Sequence, residues 1–289
     1  MSVPSSPATR TVWAGLSLDR PMVMGILNLT PDSFSDGGRH AGHHAAIAAG
    51  EAMLAAGADI IDIGGESTRP GSLPVDPAEE QARILPAIQA LAQRGAVISA
   101  DTRNAATMAA ALDAGARIIN DVTALAHDPA ALPLVAKRGA PVVLMHMRGT
   151  PETMNGLNAY EDIGRDVAAE LGAQVEAALA GGVAREAIIT DPGFGFAKVG
   201  AQNVDLMRNL APLRALGYPM LIGLSRKGFI GQLSGEPVAA RRLGGSLAAA
   251  LFALTQGAAI LRVHDVAETV QAVRVWQGLA KEEEPPRNP

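Results

Sequence analysis

Short apolar runs alternate with Ala-rich stretches along almost the whole chain. The dipeptide Gly-Ala stands at the junctions, at Gly57-Ala58, Gly95-Ala96, Gly115-Ala116, Gly139-Ala140 and Gly257-Ala258. A glycine in the left-handed position just past a helix ends it without a Cβ clash, so each junction reads as a helix stop followed by a strand. Eight strands are predicted in this way, over 22–27, 59–63, 97–100, 117–120, 142–145, 187–190, 220–223 and 259–262. They are continuously apolar rather than alternating, the pattern of parallel strands covered on both faces. Helical patterns over 77–93, 104–114, 160–179, 204–216 and 239–256 lie between them.

Eight strand–helix units fit either a closed (β/α)8 barrel or an open doubly wound sheet. The polar residues favour the barrel. Asn28, Asp101, Asn120-Asp121, His146, Asp191, Ser225 and His264 stand at or just past the C-terminal ends of seven strands, and Gly64 to Gly71 (GGESTRPG) follows the eighth. A barrel brings all eight ends to one mouth, where active sites of that fold sit. In an open sheet the outer strand ends lie too far apart to share a site. The fold expected is therefore α/β, a single (β/α)8 TIM barrel over residues 21–280. Residues 1–20 form an N-terminal segment, with 11–19 read as a strand or hairpin closing the barrel bottom. The charged, Pro-rich stretch 281–289 (KEEEPPRNP) reads as a disordered tail.

Length and composition adjust this picture in places. At about 150 residues per domain, 289 residues suggest two domains, but a barrel of about 250 residues counts as one. There are 24 Lys and Arg against 29 Asp and Glu, no basic run, and only 3% aromatic residues, which excludes a nucleic-acid partner. A local basic site for an anionic metabolite stays open. Without cysteine there is no disulfide, no thiolate ligand and no cysteine nucleophile. The first ten residues lack the apolar core of a signal peptide. The apolar stretch 243–263 is interrupted by Ser246, Thr255, Gln256 and Arg262 and reads as a buried helix and strand. The expectation is a cytoplasmic protein with no membrane partner.

Generic signatures fail: the chain has no Walker A pattern and no His-Glu-x-x-His, and Gly193-Phe194-Gly195 lacks the third glycine of a dinucleotide fingerprint. Asn28-Leu29-Thr30 fits a glycosylation sequon by chance. His40, His43 and His44 read as a solvated helix start rather than a metal site, and Met22, Met24, Met145 and Met147 as packing residues. Asn28, at a strand end, is either a turn former or a ligand for a hard cation or phosphate. Arg69, in a glycine-rich loop, is either a solvated side chain or a bidentate clamp on phosphate. Asp101 and Asp191 read equally as helix or turn caps and as site carboxylates.

With the segment 24–38 (MGILNLTPDSFSDGG) and the loop GGESTRPG, the chain resembles the dihydropteroate synthases of the pterin-binding barrel family. The resemblance covers roughly residues 21–269. It continues in order through Asp101-Thr102, Asn120-Asp121-Val122, Met145 to Pro151 (MHMRGTP), Asp191 to Phe196 (DPGFGF), Ser225-Arg226-Lys227 and Arg262 to Val266 (RVHDV). It implies a transferase that joins a pterin methyl diphosphate to p-aminobenzoate, releasing pyrophosphate with the help of Mg²⁺, and commonly working as a dimer. It implies that Asp191, Asn120, Asp101 and Lys227 meet the pterin ring, that Arg262 and His264 hold the diphosphate, and that Asn28 meets the metal. Thr68, Pro70, Phe196 and the turn 225–228 would hold p-aminobenzoate, while Asp32, Arg69 and Asp101 serve the chemistry. Gly228 stands where some members have Ser; Ala197 and Gln202 stand where relatives often have Gly and His. Two other readings remain: a catalytically silent pterin-binding paralogue, and a barrel passing methyl groups to a corrinoid protein.

Overall fold

The structure is a computed structural model and describes residues 11–30, 38–69 and 71–280. The barrel strands are β3 (Met22–Asn28), β4 (Ile60–Gly64), β5 (Ile98–Asp101), β6 (Ile118–Asp121), β7 (Val142–Met145), β8 (Ile188–Asp191), β9 (Met220–Ile222) and β10 (Ala258–Val263). They pair in parallel in sequence order, and β10 closes on β3. Around them run α1 (Gly38–Ala55), α2 (Pro77–Gln93), α3 (Ala105–Asp113), α4 (Ala131–Arg138), α5 (Ile163–Ala180), α6 (Ala201–Arg208), α7 (Ala211–Arg214), α8 (Gly228–Ser234), α9 (Leu243–Thr255) and α10 (Val266–Ala280). This is the (β/α)8 barrel that the strand-end pattern predicts. The five Gly-Ala junctions all carry a glycine with positive φ, and Gly139, at 58°, is the left-handed cap of α4.

Where helices depart from expectation, local chemistry explains it. The helix expected over 204–216 breaks into α6 and α7. Pro212 has no N–H for the carbonyl of Arg208, so it opens a new helix instead of continuing the old one. The segment expected over 239–256 begins with a 3-10 turn, Ala239–Arg241, before α9. Helix α5 starts at Ile163 because Asp162 caps it, accepting from the N–H of Gly164 at 3.1 Å and of Arg165 at 3.2 Å.

Two apolar layers flank the strands. Outside, Ile61, Ile63, Ile84, Ile88, Leu91, Met108 and Leu171 pack sheet against helices. Inside, at the N-terminal end of the barrel, Met22, Met24, Ile60, Ile118, Val143, Ile189, Leu221 and Ile260 fill the axis. Residues 11–19 form a short hairpin of β1 (Val12–Trp13) and β2 (Leu16–Ser17) below that layer. Trp13 belongs to the layer and donates its indole N–H to the carbonyl of Ala187 at 2.8 Å. Residues 281–289 lie outside the described part of the chain. No described helix is long and apolar enough to cross a membrane.

Candidate active site

Alternate residues of a strand face the same side, and this rule turns the apolar floor into a polar mouth. Ile60 lies in the inner layer, so Asp62 faces the axis one level higher; Ile118 is likewise followed by Asn120, Ile189 by Asp191, and Ile260 by Arg262. The intervening residues point outward. Asp121 shows the difference, because its carboxylate caps the following turn, accepting from the N–H of Thr123 at 2.7 Å and of Leu125 at 3.0 Å.

Arg262 is the centre of the inner polar layer. Its Nε donates to Asp62 Oδ2 and its Nη2 to Asp101 Oδ2, each at 2.6 Å, and Asn120 Nδ2 donates to the same Asp62 oxygen at 3.1 Å. Asp62 is fully buried and its Oδ1 has no partner. Burial pushes the Asp101 carboxyl well above the usual carboxylate range; Arg262 opposes that shift and the charge of Asp62 adds to it. Against its own burial, the charges of Asp62 and Asp101 hold Arg262 above its ordinary value, so it stays a cation.

A second group forms beside it. Asp191 is buried, and its Oδ1 accepts from the N–H of Gly193 at 2.7 Å. Lys227 Nζ donates to the carbonyl of Phe194 at 2.7 Å and lies 4.5 Å from the centre of the Phe196 ring. Burial brings Lys227 down to about 8, with Asp191 pulling the other way. Lys227 is presented by a strained turn. Arg226 has a φ of 62°, and its Nε and Nη2 grip Asp265 at 3.1 and 2.5 Å.

His264, just past β10, rests against the same turn. Its backbone N–H donates to Ser225 Oγ at 3.2 Å, and that oxygen lies 3.0 Å from its Nδ1. With Oγ accepting the backbone proton and giving its own hydrogen to Nδ1, the imidazole proton stands on Nε2; a hydroxyl oxygen can also accept twice, and then the proton stands on Nδ1. Burial lowers His264 to about 4, with Arg226 and Arg262 adding to the effect, so the ring is neutral at pH 7.

The structure thus joins Asp101 to Arg262 directly and Asn120 to Arg262 through Asp62, and it brings Asp191, Phe196 and Lys227 together around one loop. Asn28 ends β3, half-buried, opposite Gly64, which lies opposite Asp101. Thr68 is half-buried and Arg69 exposed on the loop after β4, with no hydrogen bond to the central groups among the described residues. That loop is held by Ser67 and Ser72, 2.9 Å apart through their hydroxyls, and by the N–H of Gly71 on the carbonyl of Pro151 at 3.0 Å. Asp32 and Pro70 lie outside the described residues. The sequence reading missed Asp62, although a lone carboxylate in Ile-Ile-Asp-Ile-Gly, two residues from an inward Ile60, is a visible signal. It also missed Lys198, which is buried behind the loop of Asp191, and left His146 as one more polar strand end.

The three departures from the family pattern have local explanations. Ala197 is fully buried at a φ of 51°, where glycine is unstrained. Gln202 accepts from the N–H of Val199 at 2.9 Å and donates to the carbonyl of Asn158 at 2.7 Å. Gly228 opens α8, and a Cβ there would meet no atom within 4 Å. Among the described residues no three His, Asp or Glu gather as a metal site. A divalent ion carried mainly by phosphate oxygens needs only one or two protein oxygens, and the Asn28 amide oxygen suits that arrangement.

The sequence pattern of the family described as "Pterin binding enzyme" matches residues 24–264. The chain belongs to this family. Within it, the dihydropteroate synthase of Neisseria meningitidis serogroup B is 49% identical over 280 residues, covering 93% of this chain and 98% of that one. The Escherichia coli K12 dihydropteroate synthase is 47% identical over 261 residues, covering 90% and 92%. The structure of Xanthomonas albilineans dihydropteroate synthase with 4-aminobenzoic acid is similar at a TM-score of 0.88 and 47% identity, covering 93% and 97%. The Yersinia pestis dihydropteroate synthase in a sulfonamide drug complex is similar at 0.86 and 46%, covering 92% and 97%. This pterin-binding chain covers 92–98% of each of those synthases, and its inward polar layer lies within the matched span.

Proposed function

We propose that this pterin-binding barrel is a dihydropteroate synthase. It condenses (7,8-dihydropterin-6-yl)methyl diphosphate with p-aminobenzoate, giving 7,8-dihydropteroate and pyrophosphate. One observation carries the reading to the residue level: Asp101, Asn120, Asp191, Lys227 and Arg262 line one mouth of the barrel, buried or half-buried, with Arg262 bonded to Asp101 directly and linked to Asn120 through Asp62.

Asp191 accepts the amide-guanidine edge of the pterin through two parallel N–H bonds. Asn120 and Asp101 meet the other ring nitrogens, and Lys227 donates on the ring carbonyl side. Arg262 commits Nε and Nη2 to carboxylates, and its Nη1 edge, together with the Nε2–H of neutral His264, donates to the diphosphate. Asn28 supplies the protein oxygen for Mg²⁺, which when bound with the diphosphate neutralises its charge. Thr68, Arg69 and Phe196 receive p-aminobenzoate, its carboxylate toward the turn that ends at Gly228.

In the reaction the C–O bond to the diphosphate breaks and its electron pair leaves with the pyrophosphate. The arylamine lone pair closes the new C–N bond, and its proton passes to water. No protein nucleophile is needed. Three inward carboxylates, Asp62, Asp101 and Asp191, face two cations, Lys227 and Arg262, so the site favours a developing cation on the pterin methylene. Asp101 and Asp32 stabilise that cation, and the diphosphate departs before the amine attacks.

The exposed apolar residues Phe252 on α9 and Val275 and Leu279 on α10 support a homodimer through those helices, and the metabolic role supports a cytoplasmic setting. The test is pyrophosphate release from the pterin diphosphate and Mg²⁺, with and without p-aminobenzoate. Release that forms dihydropteroate only with both substrates is expected; none with both present overturns the reading and leaves a silent paralogue. Positional isotope exchange in the diphosphate without the amine tests the early departure, and the absence of scrambling rejects it.

A further inference from the structure

Lys198 is almost wholly buried, yet it lies outside the groups assigned to the substrates. Its Nζ lies 2.9 Å from Nδ1 of His146, 3.1 Å from the carbonyl of Gly193 and 2.9 Å from the carbonyl of Phe196. Burial brings Lys198 down to about 7, with Asp191 pulling the other way; in its ammonium form it has three N–H donors, and these three acceptors saturate it. With Nδ1 accepting, the imidazole proton stands on Nε2, which donates to Glu170 Oε2 at 3.0 Å. Glu170, on α5, is held in turn by Arg148, whose Nε lies 3.0 and 3.1 Å from its two oxygens. Arg148 rests 3.9 Å from the centre of the Tyr160 ring and donates to the carbonyl of Ala159 at 2.6 Å.

This chain of contacts runs from α5, through the loop after β7, to the loop after β8. It ends on the two residues that matter there. Gly193 holds Asp191 through its N–H, and Phe196 lies against Lys227. The loop is held within itself by the N–H of Phe196 on the carbonyl of Gly193 at 3.1 Å, and from α6 by Asn203 Oδ1, which accepts from the N–H of Gly195 at 2.7 Å. Gly193, Gly195 and Ala197 all have positive φ, and its carbonyls at 193, 194 and 196 are bonded by two lysines, Lys198 and Lys227. A buried ammonium costs several kcal/mol of desolvation, which an apolar residue at 198 would avoid. What the ammonium adds is a fixed direction for two carbonyls and, through them, for Asp191 and Phe196.

We propose that Lys198, backed by His146 and Glu170, is a positioning residue: it sets the loop that presents Asp191 and Phe196 and so governs binding of both substrates. This rests on the proposed function, in which Asp191 takes the pterin and Phe196 the aminobenzoate. Lys198 itself touches neither.

Calorimetric binding of pterin and steady-state kinetics of Lys198→Met, His146→Ala and the double variant test the inference. Lys198→Met is expected to weaken pterin binding and raise the KM for p-aminobenzoate at least tenfold, with kcat at saturation within about threefold of the parent. His146→Ala gives a smaller loss in the same direction, and the double variant is no worse than Lys198→Met, because both cut one chain. A pterin Kd within twofold of the parent in Lys198→Met, or losses that multiply in the double variant, overturns the proposal. If Lys198→Met does not fold, Glu170→Ala decides: a threefold weaker pterin Kd supports the chain of contacts, and an unchanged one rejects it. If the parent binds pterin but releases no pyrophosphate, the reaction fails and the pterin Kd still decides the positioning role. A parent that binds no pterin overturns both.

Discussion

Asp62 acquires its role entirely from its neighbours. It sits in an apolar strand, fully buried, and its charge is tolerable there only because Arg262 and Asn120 donate to it. Without Asp62, Arg262 keeps Asp101 but its Nε has no acceptor. Asp62→Ala is therefore expected to cost about 1.5–3 kcal/mol of stability by urea denaturation and to weaken pterin binding, because Arg262 loses one of its two anchors. Lys227 contributes an alkaline limb to the pH dependence, beside Asp101 and Lys198, which burial brings to about 7 from either side. Lys227 is brought down to about 8 by burial, so it is charged below that pH and neutral above it. We expect kcat/KM to fall as pH rises through about 8, and Lys227→Arg to move that limb to higher pH, both read from a pH–rate profile. His264 works in the other sense: held at about 4, it stays neutral across the same range.

At the scale of elements, the loop after β8 is the most constrained piece of the molecule. Gly193 has a φ of 68°, and a Cβ there would stand 2.0 Å from the carbonyl oxygen of His146. Backbone atoms cannot give way by that much. Gly193→Ala is expected to lower the thermal midpoint by several degrees and to abolish tight pterin binding, since the displaced backbone carries the N–H at 193 away from Asp191. The strands themselves were largely legible from the chain. Each apolar run of the sequence became a strand, but several run one residue further than the apolar pattern, to Asn28, Gly64, Asp101, Asp121 and Asp191. Apolar burial stops at the polar residue, whereas backbone pairing continues through it. Helix breaks were harder to see: Pro212 splits one predicted helix although the apolar period runs on, because the missing N–H acts locally and hydropathy does not register it.

For the molecule as a whole, closure of the barrel separates stability at one end from chemistry at the other. Trp13 stops the bottom, packed with the inner apolar layer and bonded to Ala187, while the carboxylates and cations stand at the opposite mouth. Trp13→Ala is expected to cost about 3–5 kcal/mol in denaturation while leaving the pterin Kd of the folded protein unchanged.

The sequence by itself determined the repeating units, their count and the strand ends at which chemistry sits. Hydrophobic runs, glycine stops and polar strand ends are local features, written residue by residue. It also supplied Asp101, Asn120, Asp191, Lys227, Arg262 and His264 as a set, in order along the chain. Only the tertiary structure decided which polar residue faces the axis and which faces a helix, as the neighbours Asn120 and Asp121 illustrate. It likewise decided that Arg262 is held between Asp62 and Asp101, and that Lys198 reaches His146 from 52 positions away. Those relations depend on how strands stagger around a closed barrel, and no periodicity along one strand encodes the distance to another.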